Sequence, residues 1–188
     1  MKGKIIVLSA PSGSGKSTII RNIIDDKSLS LGFSISATSR KPREGELHGK
    51  DYYFLSEKEF EERINNDEFI EWEEVYAGVR YGTLESEINR VTESGKNLIM
   101  DIDVKGALNI KKKYGKDSLL IFIMPPNLIS LENRLRNRGT DSEDVILKRL
   151  EKAEYEISFS KHFDTIIVND HLGEAVSETK EVIQNFIS

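Results

Sequence analysis

The sequence contains no cysteine, only three histidines, and no long apolar run. Without cysteine, the chain can form neither a disulfide nor a thiolate metal site. His48, His162 and His171 are scattered along the sequence, which argues against a transition-metal centre. The longest uninterrupted apolar stretch, residues 119–124, is far shorter than the ~20 residues that a membrane-spanning helix needs. We therefore expect no transition metal and no membrane segment.

The sequence also lacks an excess of basic residues, since its formal net charge is −5. Nucleic acids and anionic membranes are bound by broad basic surfaces, so neither is an expected partner. Only four apolar residues follow the basic start Met1-Lys2-Gly3-Lys4 before Ser9, too few for a signal-peptide core. We expect a cytoplasmic protein, and its 188 residues suit one domain that carries smaller insertions.

Short apolar runs alternate with helical patterns along the chain. Such alternation is typical of an α/β fold in which helices cover a mainly parallel sheet. A terminal helix is predicted at 172–187, and Gly95 stands where the C-terminal cap of a helix at 84–94 belongs. The predicted strands are Ile5 to Leu8, Phe33 to Ser36, Leu98 to Asp101, Leu119 to Met124 and Thr165 to Val168.

A phosphate-binding loop directly follows the first predicted strand. Small residues let backbone N–H groups point at phosphate oxygens, and the helix that follows offers its positive end to the same anion. Lys16 would reach the β- and γ-phosphates of a nucleoside triphosphate, and Ser17 would hold Mg²⁺. A turn rich in glycine and serine is the alternative interpretation. The loop lacks only the first glycine of GxxxxGK[ST] and consists of Ala10, Pro11, Ser12, Gly13, Ser14, Gly15, Lys16, Ser17 and Thr18.

Two segments interrupt the alternation of strands and helices. Residues 37–83 contain several glycines, short strand-like runs and one helix that begins with the capping box Ser56-Glu57-Lys58-Glu59 and extends to about Asn66. This pattern predicts a small α+β insertion into a core formed by 1–36 and 84–188. The polar loop 138–142 lies between two helical patterns and is a candidate lid, within about 134–149.

Asp101 ends a predicted buried strand. At the carboxyl edge of a parallel sheet it could orient Mg²⁺ directly or through water. Asp residues in this position also act simply as caps between strand and loop. Asp103, two residues later, could face a phosphate acceptor instead.

Two groups of arginines could contact phosphates. Arg40 and Arg43 flank Pro42, and with the phenol of Tyr52 they could hold a second phosphate, although a solvated basic loop is the alternative. Arg134 and Arg138 share a helix face, and Arg149 would approach from the next helix. These three could neutralise charge on a transferred phosphoryl group, or they could form ordinary surface ion pairs; Arg136 should point elsewhere.

Glu71 differs from the other acidic residues around it because it lies between Ile70 and Trp72 in a strand-like run. One carboxylate can accept both adjacent donors of guanine, N1–H and N2–H₂. Adenine has an acceptor at N1 and would be repelled.

Taken together, these segments resemble guanylate kinases over nearly the whole chain. The similarity includes the phosphate-binding loop and extends through Arg134 to Arg149 and to Asn169-Asp170. The remaining segments that carry it are Phe33 to Arg43, Gly49 to Phe54, Glu68 to Trp72, Tyr81-Gly82-Thr83 and Asp101-Ile102-Asp103.

The resemblance implies a nucleoside monophosphate kinase with a core, an inserted GMP-binding domain and a lid, which converts ATP and GMP to ADP and GDP with Mg²⁺. It implies ATP and GMP as partners, with dGMP as a further candidate. By position it assigns the ATP phosphates and the transferring group to Lys16, Arg134, Arg138 and Arg149, and the adenine of ATP to Asn169. It assigns the guanine base to Ser36, Glu71, Thr83 and Asp103. It assigns the GMP phosphate to Arg40, Arg43, Tyr52 and Tyr81.

Two departures from the family pattern are Ala10 in place of the first loop glycine and Val79 where the family usually has asparagine. Alanine is costly at position 10 only if that residue needs a positive φ.

Two other functions remain open. One is a peptide-binding module like the kinase-like domains of membrane scaffolds, which would not require Lys16, Ser17 or Asp101. The other is a kinase acting on AMP or UMP, which Glu71 disfavours.

Overall fold

The computed structural model describes residues 2–76, 78–137, 139 and 142–188. The strands of that part of the chain are β1 (Ile5–Ser9), β2 (Leu31–Phe33), β3 (Ala37–Thr38), β4 (Tyr53–Phe54), β5 (Phe69–Tyr76), β6 (Val79–Leu84), β7 (Asn97–Asp101), β8 (Ser118–Met124) and β9 (Thr165–Val168). Its α-helices are α1 (Lys16–Ile23), α2 (Glu57–Asn65), α3 (Glu85–Glu93), α4 (Val104–Tyr114), α5 (Leu128–Arg136), α6 (Glu143–Ser158) and α7 (Leu172–Ile187).

A parallel sheet in the order β2-β7-β1-β8-β9 forms the centre of the described structure. Every residue of β1 is buried, as expected for a parallel strand with helices on both faces. On one face Ile6 and Leu8 pack with residues of α1 and α7, and on the other Ile5 and Val7 pack with residues of α3 and α4. The predicted α/β class is confirmed.

The strand predicted at Phe33 to Ser36 is wrong. β2 ends at Phe33, and the chain enters another sheet at Ala37. The Ser34 N–H still donates to the Ile99 carbonyl, at 3.1 Å, but the Ile35 N–H donates to the Glu87 carboxylate instead of to a strand. A side-chain acceptor therefore ends the ladder at this point, and the apolar pattern alone gives no sign of it.

A second sheet, in the order β4-β3-β6-β5, is formed between residues 37 and 84. Its buried cluster includes Ala37, Phe60 of α2 and Leu84. The rings of Phe60 and Phe69 stack with their centroids 4.4 Å apart. Residues of this sheet and of the central one line the cavity described below.

Most of the predicted helix ends are confirmed. Ser56 caps α2, and the reciprocal hydrogen bonds of its capping box with Glu59 are both present. Gly95 follows the C-cap of α3 with a φ of 80°. The terminal helix α7 has the predicted bounds. No helix in the described ranges is both long enough and apolar enough to cross a membrane.

Candidate functional site

The phosphate-binding loop connects β1 to α1. Gly13 and Gly15 have φ values of 99° and 90°, in the left-handed region that favours glycine. A Cβ atom on Gly15 would also lie 2.2 Å from the side-chain nitrogen of Asn169. Ala10 is not among the described non-glycine residues with positive φ, which are Ser30 and Asp67. Alanine therefore causes no backbone strain at the position where the motif has its first glycine.

Lys16 is ion-paired with Asp101 at the end of the adjacent strand β7. The two residues meet because β1 and β7 are parallel neighbours with Leu8 opposite Asp101. Ser17 follows on the exposed side of α1. A serine hydroxyl and a carboxylate are the hard oxygen donors that Mg²⁺ prefers, so these residues fit that ion when phosphates and water supply its other ligands.

Two side chains from distant elements contact the phosphate-binding loop, and a third contacts one of them. The Asn169 amide is 4% exposed and donates to the Ser14 carbonyl at 2.7 Å. Arg134 donates to the Asn169 carbonyl at 2.9 Å, and Arg149 donates to the Ser12 hydroxyl at 2.7 Å. The Asn169 side chain thus supports the loop, and its contact with adenine stays a prediction.

Arg136 points away from Arg134, as the helical spacing predicts. Arg136 forms ion pairs with Glu132 and Glu143 on the outside of the helices. Arg134, by contrast, donates to Asn169, whose side chain contacts the loop. Arg138 falls outside the described residues, so its predicted role stays a prediction.

A second cluster of polar side chains lies on the second sheet. Arg40 donates from Nε to the Tyr81 hydroxyl at 3.1 Å and lies over the Tyr52 ring, 4.9 Å from its centroid. Its two terminal nitrogens donate to Glu46 at 2.6 and 2.7 Å. These hydrogen bonds lower the pKa of Glu46 to about 2. The structure therefore brings together Arg40, Tyr52 and Tyr81, whereas the Arg43 side chain is exposed.

Glu71 lies opposite Thr83 in the β5–β6 ladder of the second sheet. Burial raises the pKa of Glu71 to about 7, and the nearby carboxylates of Asp103 and Glu73 add to this effect. Asp103 caps α4 by accepting a hydrogen bond from the Gly106 N–H at 2.7 Å. The Thr83 hydroxyl is buried beside Glu71, and its interaction with the carboxyl group offsets part of the rise in the Glu71 pKa.

One cavity of about 820 Å³ connects these groups. Its lining includes loop residues from Ala10 to Thr18, with Asp101 and Arg149, and also Ser36, Tyr52, Glu71, Tyr81 and Asp103. Arg40, Arg43, Thr83, Arg134 and Asn169 are not among the residues that line it, and Ser14 is fully buried.

The sequence prediction missed several residues that line this cavity. Lys148, Lys152 and Glu156 lie on α6, and Glu73 lies on β5. The three α6 residues are spaced four apart and so share one face of the helix, which is a signal that the sequence does contain. Two of them are lysines and the third is a glutamate, and charged residues occur throughout α6, so nothing in the sequence distinguishes this face from a solvated one.

Comparisons with known proteins agree on one family. The family model described as guanylate kinase matches residues 2–186. The chain is 53% identical over its whole length to a guanylate kinase of Bacteroides thetaiotaomicron, of which it covers 92%, and 51% identical over 98% of both chains to one of Porphyromonas gingivalis. The crystal structure of guanylate kinase from Anaplasma phagocytophilum has a TM-score of 0.72 and 31% identity, with 99% of this chain and 87% of that one covered. The chain therefore belongs to the guanylate kinase family.

Proposed function

We propose that the cavity holds ATP and GMP end to end, so that this guanylate kinase transfers the γ-phosphoryl group of ATP to the phosphate of GMP. The observation that carries the proposal is the continuity of one cavity from Lys16 and the phosphate-binding loop to Glu71 on the second sheet. Its two ends differ in chemistry, since one presents backbone N–H groups and cations and the other presents the half-buried carboxylate of Glu71. A donor and an acceptor nucleotide need such a pair of ends.

The loop end suits the triphosphate. Backbone N–H groups of residues 10–18 and the start of α1 would contact the phosphates, with Lys16 at the β- and γ-phosphates. Arg149 already lies at the loop through Ser12. Together with Arg134 and Arg138 it would neutralise charge on the transferring group.

Ser17 and Asp101 would hold Mg²⁺, directly or through water. When bound with ATP, the ion would neutralise phosphate charge and fix the geometry of the triphosphate. Asp101 would then bind the ion instead of Lys16, because the Lys16 ammonium group would contact the γ-phosphate. Mg²⁺ prefers oxygen ligands, so this site needs no thiolate.

The second sheet suits the GMP phosphate. Arg40, Tyr52 and Tyr81 already form one cluster, and a phosphate could replace Glu46 at the Arg40 guanidinium, which binds both anions through two parallel N–H groups. Arg43, exposed beside this cluster, would add a second guanidinium.

Glu71 would select guanine. Its carboxylate would accept hydrogen bonds from N1–H and N2–H₂, with Ser36, Thr83 and Asp103 as further contacts to the base. The buried Thr83 hydroxyl beside Glu71 adds a second polar group at this strand. Binding of two donors favours the ionised carboxyl group, so GMP would lower a pKa that burial raises.

The reaction needs no protein base. The second pKa of a phosphate monoester is near ~6, so the attacking oxygen of GMP is already ionised at neutral pH. Asp101 and Asp103 therefore act in binding, and catalysis depends on alignment, charge neutralisation and exclusion of water. Closure of a lid at about 134–149 over the core and the 37–83 insertion would exclude water from the site. A lid in the same position with and without both nucleotides would contradict this closure.

The test is release of ADP from ATP and Mg²⁺ with GMP, dGMP, AMP, UMP or CMP as acceptor. We expect turnover with GMP and a preference over AMP of ~10⁴ or more, because mismatched buried polar groups are strongly rejected. Equal use of AMP or UMP would contradict the role of Glu71. Release of no ADP with any acceptor would favour a peptide-binding module.

A further inference from the structure

Glu87 is the most deeply buried carboxylate described, with 1% of its surface exposed. It belongs to the first turn of α3, a helix whose Ile88 and Val91 pack into the core beside the central sheet. A buried carboxylate is costly unless its oxygens are hydrogen-bonded and its charge is paired. The partners of Glu87 therefore show what this charge holds in place.

Each Glu87 oxygen accepts two hydrogen bonds. Oε1 accepts the Ile35 N–H at 2.9 Å and an Arg90 N–H at 2.6 Å, and Oε2 accepts the Tyr53 hydroxyl at 2.9 Å and the Arg90 Nε–H at 2.8 Å. Burial raises the pKa of Glu87, but the Arg90 guanidinium and the other donors outweigh it and hold the pKa below its ordinary value. The group is therefore an anion with all its acceptor positions used.

Two of these donors flank residues of the proposed GMP site. Ile35 directly precedes Ser36, and Tyr53 directly follows Tyr52. The two segments are also joined to each other, since the Tyr53 N–H donates to the Ser36 carbonyl at 2.9 Å. Glu87 thus bonds both to the segment that carries a guanine contact and to the one that carries a phosphate contact, and it does so from a core helix.

We propose that Glu87 is a positioning residue for GMP, which sets Ser36 and Tyr52 at the spacing of the base and the phosphate through the Ile35 N–H and the Tyr53 hydroxyl. This inference rests on the GMP contacts proposed above for Ser36 and Tyr52. Glu87 does not line the cavity, so its effect on GMP must pass through these neighbours. The Arg90 ion pair keeps the carboxylate charged and fixed in orientation.

A purely structural role makes a different prediction. Glu87 could simply stabilise the junction between the two sheets, in which case its loss would lower the melting temperature and leave nucleotide use by the folded enzyme unchanged. If Glu87 positions the GMP site, loss of its contacts should raise the KM for GMP and leave the KM for ATP unchanged. The size of this effect should depend on whether Tyr52, the positioned residue, is present.

The test uses Tyr53→Phe, which removes one hydroxyl and leaves the other three hydrogen bonds to Glu87. Loss of one hydrogen bond to a charged group should raise the KM for GMP by about fivefold, with the KM for ATP within about twofold of the wild type. Glu87→Gln, whose amide cannot accept all four donors, should raise it further. Tyr114→Phe is the control, because it removes a phenolic hydroxyl at the last residue of α4, next to Glu85 and outside the lining of the cavity.

A double-mutant cycle separates positioning from general loosening. In a Tyr52→Phe background, Tyr53→Phe should raise the KM for GMP by less than about twofold, because the contact that it positions is already gone. An unchanged KM for GMP in the folded Tyr53→Phe protein, or the same increase in both backgrounds, would overturn the proposal. Failure of GMP phosphorylation in the wild type would instead reject the proposed function, so the two failures are distinguishable. If Glu87→Gln does not fold, Tyr53→Phe and the cycle still decide the question.

Discussion

The ammonium group of Lys16 is ion-paired with the carboxylate of Asp101, which links the first residue of α1 to the last residue of β7. Both side chains keep some solvent contact, with 17% and 29% of their side-chain surface exposed. The pair lies at the carboxyl edge of the central sheet, where open α/β sheets bind ligands. A bound triphosphate and its metal ion would separate the two charges and use each of them.

Lys16→Met should abolish phosphoryl transfer while leaving the protein folded. Removing a cation at the β- and γ-phosphates is expected to lower kcat by about a thousandfold or more, because charge neutralisation is a large part of this catalysis. Partial solvent contact lets water hydrate the unpaired Asp101. ADP release and the melting temperature would be measured together, with the exposed Lys112→Met as the control. Near-normal turnover of the folded variant would refute the role of Lys16.

Asp101→Asn should weaken the use of Mg²⁺. An amide keeps the shape of the side chain but removes the charge, so the Mg²⁺ concentration for half-maximal rate should rise by about ten- to a hundredfold. The rate would be measured against Mg²⁺ at fixed ATP. Asp103→Asn is the matched control, expected to raise the KM for GMP with an unaltered Mg²⁺ requirement. Identical Mg²⁺ curves for Asp101→Asn and the wild type would count against the metal role.

Glu71→Gln should weaken the use of GMP and spare ATP. The amide can accept only through its oxygen and turns a donor toward guanine, so the KM for GMP should rise by about a hundredfold. Steady-state kinetics with each nucleotide varied in turn would show the separation. An unchanged KM for GMP would remove Glu71 from the site.

The raised pKa of Glu71 also predicts a pH dependence. The ionised carboxyl group accepts the guanine donors, so guanosine affinity should fall as the pH decreases through about 7. Guanosine is the better probe because the GMP phosphate itself titrates near ~6. In the ligand-free protein the pH dependence of stability has the opposite sign, because the protonated carboxyl group is easier to bury. The contribution of Glu71 to the stability of the protein is full below the ordinary pKa of 4.5 and is lost as the pH rises through about 7. Calorimetry and thermal unfolding of Glu71→Gln should show both dependences flattened, and parallel profiles would contradict this.

Gly106→Ala should impair GMP use through Glu71. A Cβ atom on Gly106 would lie 2.7 Å from the Glu71 Cγ, so the Glu71 side chain would have to shift. Misplacement of a binding group should raise the KM for GMP by about tenfold. The control is Gly173→Ala in α7, where nothing lies within 4 Å of the added atom. If both variants have the wild-type KM for GMP, the contact does not position the carboxylate.

Local patterns in the sequence account for most of the elements. The capping box at Ser56 and the glycine at position 95 depend on residues only a few positions apart, and both helix ends are where those residues predict them. The strand predicted at Phe33 to Ser36 is wrong because the apolar pattern continues past Phe33 while the hydrogen bonds of the ladder do not. The acceptor of the Ile35 N–H is Glu87, on a helix that no local pattern connects to it.

The sequence by itself determined the phosphate-binding loop, the alternation of strands and helices and, through resemblance, the family. Each of these depends on residue types at short spacing. Only the tertiary structure decided which side chains meet: Lys16 with Asp101, Asn169 with the Ser14 carbonyl, and Glu71 with Gly106. These contacts follow from the order in which strands are assembled in the two sheets, and that order is set by packing of the whole chain.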